Sequence, residues 1–126
     1  MAKSVIREKS LSFALEVIEL FKKLQAEREY VLSKQLLRSG TSIGANVEEA
    51  LAGQSRKDFL AKMAIASKEA RETRYWLELL QKSSLTQLEL NPAISNNEEL
   101  IRILTSIVKT TAENPATQNS KLKIQN

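Results

Sequence analysis

Residues 35–53, QLLRSGTSIGANVEEALAG, read as one amphipathic helix whose inward stripe is built from unusually small side chains. Leu36, Gly40, Ile43, Val47 and Ala50 follow a 4-3-4-3 spacing, the repeat that keeps one seam of a helix against a partner. Glycine inside a helix costs roughly 1 kcal/mol relative to alanine, so Gly40 and Gly44 need a compensating reason. Close approach of a second helix supplies one. This stretch therefore points to an all-α fold with closely packed helices.

The helix is expected to run from about Tyr30 to Ala52, with Gly53 as the residue just past its end. Ser55-Arg56-Lys57-Asp58 follows at once as a capping box, Ser55 at the N-cap and Asp58 at N3. The link is short, so the next helix, Arg56 to Lys82, lies antiparallel beside the first. Its seam is Phe59, Met63, Ala66, Ala70, Thr73, Leu77 and Leu80, and a second stripe holds Ile65, Glu69, Glu72, Trp76 and Leu79. Pairing about the turn sets Ile43 near Ile65, Gly44 near Ala64, Gly40 near Ser67 and Lys68, and Arg38 near Glu69 and Glu72.

Upstream, Lys9 to Gln25 forms a helix with Ala14, Val17, Phe21 and Leu24 as its stripe, widened by Phe13, Leu20, Leu11 and Ile18. Residues 1–8 read as a charged, frayed start. The apolar pattern lapses over Gln25 to Glu29, which marks a break. Downstream, residues 83–97 read as a linker of turn signals, with Ser95 and Glu98 as a second capping box. A fourth helix follows to about Ala112 and buries Leu100, Ile103, Leu104, Ile107, Val108 and Thr111. From Asn114 the sequence is polar and is expected to be a disordered tail. The expected architecture is an up-and-down antiparallel four-helix bundle over residues 1–113 and a tail over 114–126.

At 126 residues the chain is long enough for one domain, which buries roughly two-thirds of its unfolded surface. The absence of cysteine and histidine removes thiol nucleophiles, imidazole bases and the usual zinc ligand sets. No cofactor is expected. The charged start and the lack of a long apolar run favour a cytoplasmic protein with no membrane partner. The net charge of +4 permits nucleic-acid binding without requiring it. Residues 31–82 carry nine basic and six acidic groups, and residues 83–113 carry two and four, so any anion-binding face belongs to the middle helices.

The order RSGTSIGANVEEA, QSRKDFLAKM, ASKEARETRYWLELL resembles the bacterial four-helix-bundle family of proteins encoded in intervening sequences of 23S ribosomal RNA genes, also called S23 ribosomal proteins. The likeness runs from about Phe13 to Val108, and the family pattern falls on Arg38, Ser42, Ile43, Asn46, Glu49, Phe59, Ser67, Glu69, Glu72, Trp76 and Leu77. It implies a bundle that assembles into a homopentamer. It implies no activity.

Two functional readings stand. In the first, the chain is a non-enzymatic scaffold or adaptor that binds copies of itself or another protein. Gly40, Ser42, Ile43, Gly44, Asn46, Glu49 and Trp76 then serve helix packing or a subunit interface. In the second, Arg38, Arg56, Lys57, Lys62, Lys68, Arg71 and Arg74 contact the phosphates of structured RNA or DNA. The same seven also read as a solvated face laced with Asp58, Glu69, Glu72 and Glu78. Glu48 and Glu49 are adjacent on a helix and point about 100° apart, so they are not a catalytic pair.

Overall fold

The computed structural model describes residues 2–113, with side chains from Val5 onward. The expected disordered tail from Asn114 lies outside the described residues. Four helices follow one another: α1 (Ala2–Ala26), α2 (Leu32–Leu51), α3 (Arg56–Lys82) and α4 (Asn91–Glu113). Their contacts run α1 with α2, α2 with α3, α3 with α4, and α4 with α1. Among the described residues the backbones of diagonal helices do not come within 8 Å Cα to Cα, so the bundle is an up-and-down cycle.

Each helix turns one 4-3 seam inward. The seams are Ile6, Ser10, Phe13, Val17, Leu20 and Leu24 on α1; Leu36, Gly40, Ile43, Val47 and Ala50 on α2; Phe59 through Leu80 on α3; and Ala93, Asn97, Leu100, Leu104 and Thr111 on α4. A spacing near 3.5 residues keeps these side chains pointing at the bundle axis along the whole helix. The α2 and α3 seams are the expected ones.

The α1 stripe differs from its expectation. Phe13 and Leu20 are buried, whereas Ala14 and Phe21 are only half-buried and Leu11 faces solvent. The helix also begins at Ala2 and not at Lys9. Ile6 is fully buried, and Arg7 pairs with Glu48 at 2.8 Å, so the charged start is anchored to α2.

The break between α1 and α2 falls where the apolar pattern lapses. Arg28 adopts a left-handed φ of 66°, and the Glu29 amide donates back to the Leu24 carbonyl at 2.9 Å. The Glu29 carboxylate then accepts from the amides of Val31, Leu32 and Ser33 at 3.3, 3.1 and 2.6 Å. An acidic side chain thus satisfies the first free N–H groups of α2 and suits the positive end of its dipole.

The α2–α3 turn follows its expectation at Ser55, whose side chain accepts from the Asp58 amide at 3.1 Å. Gly53 has a different role from the expected left-handed cap, since no glycine has positive φ. A β-carbon on Gly53 would lie 2.5 Å from Asp58 Oδ2. The glycine leaves room for the carboxylate.

The fourth helix starts at Asn91, ahead of the expected Ser95 cap. The Ile94 amide donates to the Leu90 carbonyl at 2.9 Å, and the Glu89 carboxylate accepts from the Asn91 amide at 3.0 Å. Pro92 fits the first turn, where no N–H donor is needed. On the inner face Ile101 is buried in addition to the expected residues, while Ile103, Ile107 and Val108 are half-buried.

Candidate interaction surfaces

The glycines of α2 face α1. A β-carbon on Gly40 would meet Val17 at 2.9 Å, and one on Gly44 would meet the Ser10 carbonyl oxygen at 3.5 Å. The expected meeting of Gly40 with Ser67 and Lys68, and of Gly44 with Ala64, is therefore corrected: periodicity marks a small-residue stripe but does not say which of two neighbours it admits. Beside Gly44, residues Ser10, Leu11, Ala14, Thr41, Ala45 and Glu48 line a shallow groove of about 180 Å³ on the outer α1/α2 face. Leu11 is 49% exposed there, and Leu15, one turn further along α1, is 57% exposed.

The α2/α3 side carries a polar network in the expected register. Arg38 Nη2 lies 2.9 Å from Glu72 Oε2 and 3.9 Å from Glu69 Oε1. Trp76 Nε1 donates to the same Glu72 oxygen at 3.0 Å. Ser42 Oγ donates to the Arg38 carbonyl at 2.6 Å, and Asn46 Nδ2 donates to the Ser42 carbonyl at 2.8 Å. Glu49 pairs with Lys62 at 2.8 Å. This hydrogen bond and the Glu49 charge raise the Lys62 pKa above the ordinary 10.5; desolvation opposes them, and the nearby Asp58 charge adds a lesser push upward. The polar line beside the seam is thus bonded to its own helix and to α3. Deeper, Thr73 Oγ1 lies 2.9 Å from Ser39 Oγ and 2.8 Å from the Glu69 carbonyl.

The seven basic residues are divided between two sides of α3. Arg38 and Lys62 lie in the α2/α3 groove on carboxylates. Toward α4, Arg56 donates to the Thr111 carbonyl at 3.2 Å, Arg71 donates to Thr105 Oγ1 at 2.9 Å, and Arg74 lies 3.7 Å from Glu98. Lys57 and Lys68 are exposed. Among the described residues, Lys68 and Arg71 form no ion pair.

A third surface was not anticipated. Between α1 and α4 a groove of about 360 Å³ is lined by Val5, Glu8, Lys9, Ser12, Phe13, Glu16, Asn96, Glu99 and Leu100. Lys9 pairs with Glu99 at 3.2 Å, and Asn96 Nδ2 donates to Glu16 at 2.9 Å. The one signal in the sequence is the set Glu8, Ser12 and Glu16, four residues apart on one helix face. Its pairing with α4 is not visible before the helices are docked. No described helix is long and apolar enough to cross a membrane.

A family model described as 23S rRNA-intervening sequence protein matches residues 2–106. The chain is also similar to a protein of unknown function from the S23 ribosomal protein family of Bacteroides thetaiotaomicron VPI-5482. Its crystal structure superposes with a TM-score of 0.82 at 47% identity, covering 86% of this chain and 99% of that one. No curated protein matches the sequence.

Proposed function

Because the chain belongs to the 23S rRNA-intervening sequence protein family, we propose that it is a non-enzymatic scaffold or adaptor of the cytoplasm, built as a homopentamer of four-helix bundles. The supporting observation is the outer α1/α2 face, where exposed Leu11 lines a groove with Ala14, Thr41, Gly44 and Ala45, bordered by Ser10 and by Glu48 in its pair with Arg7, and Leu15 is exposed one turn further along α1. A contiguous, weakly polar face of this kind is uncommon on a monomer and suits a second copy of the chain. Light scattering on the eluting protein tests it. The expected mass is five times the 14.2 kDa of one chain, and Leu11→Glu with Leu15→Glu is expected to lower it while the helical circular dichroism stays. A monomer at micromolar concentration would refute the assembly.

A second reading, contact with structured RNA or DNA, draws on Lys68 and Arg71, which are exposed and form no ion pair among the described residues. Repetition of this pair around a ring would multiply the phosphate contacts. Binding to a structured RNA and to duplex DNA across a salt series tests it, with an affinity that falls steeply as salt rises. Lys68→Ala with Arg71→Ala is expected to flatten that dependence.

A further inference from the structure

The outer face of α3 carries an aromatic ring among cations. Lys68, Arg71 and Tyr75 follow one another at helical spacing, which sets them on one stripe. Tyr75 is 54% exposed. Its ring meets Trp76 edge-on, with centroids 5.1 Å apart and planes inclined at 63°. A single edge-on contact leaves at least one face of the tyrosine ring clear of the indole. The indole itself is fixed, since Trp76 Nε1 donates to Glu72 at 3.0 Å and Glu72 is paired with Arg38 at 2.9 Å. Arg71 donates to Thr105 Oγ1 at 2.9 Å, which turns its guanidinium toward α4. Arg102, one turn before Thr105, adds an exposed cation on that helix. Lys68, Arg71 and Arg102 form no ion pair among the described residues, whereas Glu72, Glu78 and Glu98 in the flanking turns are paired with Arg38, Lys82 and Arg74.

We infer that this α3/α4 face holds an unpaired stretch of nucleic acid, with a base stacked on Tyr75 and the neighbouring phosphates on Lys68, Arg71 and Arg102. The inference rests on the nucleic-acid reading above and deepens it by naming the part of the ligand that is recognised. Cations alone attract any polyanion, but an exposed ring beside them adds a platform for the π-face of a base. Inside a duplex the bases are stacked on one another and present only their edges in the grooves. A tyrosine on a convex helix surface therefore reaches a base only where the strand is unpaired. The spacing fits. Along the helix Arg71 and Lys68 lie roughly 6 and 10 Å from Tyr75, distances that a few nucleotides cover at about 3.4 Å or more of strand each. Because Trp76 braces Tyr75 and tyrosine has few rotatable bonds, little ordering is required when a base arrives.

Fluorescence anisotropy on the full chain tests it, with an adenine-rich RNA of about twelve nucleotides, the same strand paired with its complement, and a strand of equal charge whose nucleotides lack bases. The unpaired strand is expected to bind at least about tenfold more tightly than the baseless one, a factor equivalent to about 1.4 kcal/mol. Tyr75→Leu is expected to remove that advantage and Tyr75→Phe to keep it, both with unchanged helical circular dichroism. Arg71→Ala with Arg102→Ala is expected to weaken the two strands by the same factor. Equal affinity for the unpaired and baseless strands would overturn the inference, as would a duplex bound as tightly as the unpaired strand, a Tyr75→Leu protein that binds like the wild type, or an affinity indifferent to the two arginines. Each of these results leaves the broader nucleic-acid reading standing. Absence of salt-dependent binding to all three ligands would overturn both.

Discussion

Gly40 sits so close to Val17 that a β-carbon built on it would lie 2.9 Å from Val17 Cγ2 and 3.0 Å from Cγ1. Valine is stiff at χ1, and both of its methyl groups are near, so rotation offers no relief. Gly40→Ala is therefore expected to destabilise the bundle by about 1–3 kcal/mol through overpacking. At Gly44 the nearest atom stands at 3.5 Å, an ordinary contact. Gly44→Ala is expected to stabilise by up to about 1 kcal/mol through helix propensity. Urea melts of the two variants give the opposite signs, and Val17→Ala is expected to rescue Gly40→Ala.

The Glu72 carboxylate serves two donors, Arg38 and Trp76. Arg38 is more than half exposed, so Arg38→Met is expected to cost under about 1 kcal/mol. Glu72→Leu also strands the half-buried indole N–H, at about 1–3 kcal/mol. Thermal melts rank the two. A shift in Trp76 emission is expected with the Glu72 variant.

The raised Lys62 pKa links stability to pH. Lys62 is held protonated by Glu49 in the folded chain, so its contribution is fully present below the ordinary 10.5 and is lost as pH rises through the higher folded value. The melting temperature of the wild type is expected to exceed that of Lys62→Gln slightly at pH 8. The gap should close in strongly alkaline buffer.

Arg28 holds a left-handed φ of 66° at the end of α1, a conformation that is costly for a side chain with a β-carbon and free for glycine. Arg28→Gly is expected to raise stability by about 0.5–1 kcal/mol, read as a higher urea midpoint with an unchanged slope.

What could be read in advance depended on whether the deciding contact was local. The bounds of α3 were legible because Ser55 caps its start and the seam runs unbroken to Leu80. The Arg38 contact with Glu69 and Glu72 was legible because a tight turn fixes the antiparallel register. The early start of α1 was hidden by charges around Ile6, whose burial comes from packing against distant helices. Asn91-Pro92 reads as a turn but opens α4, since proline is equally at home in a first helical turn. The α1/α4 groove was the least visible surface, because it joins the two ends of the helical region and no short connection relates them. The direction of the glycines failed for a similar reason.

The closed cycle of neighbour contacts means that no one of the three connections dictates the arrangement. Because α1 and α4 touch as well, the order in which the chain visits the helices is one cut of a ring, and other cuts wrap the same core. A circularly permuted chain, joined by a flexible linker between Glu113 and Ala2 and opened between Gly53 and Gln54, has α3 first and α2 last and keeps every helix beside its present partners.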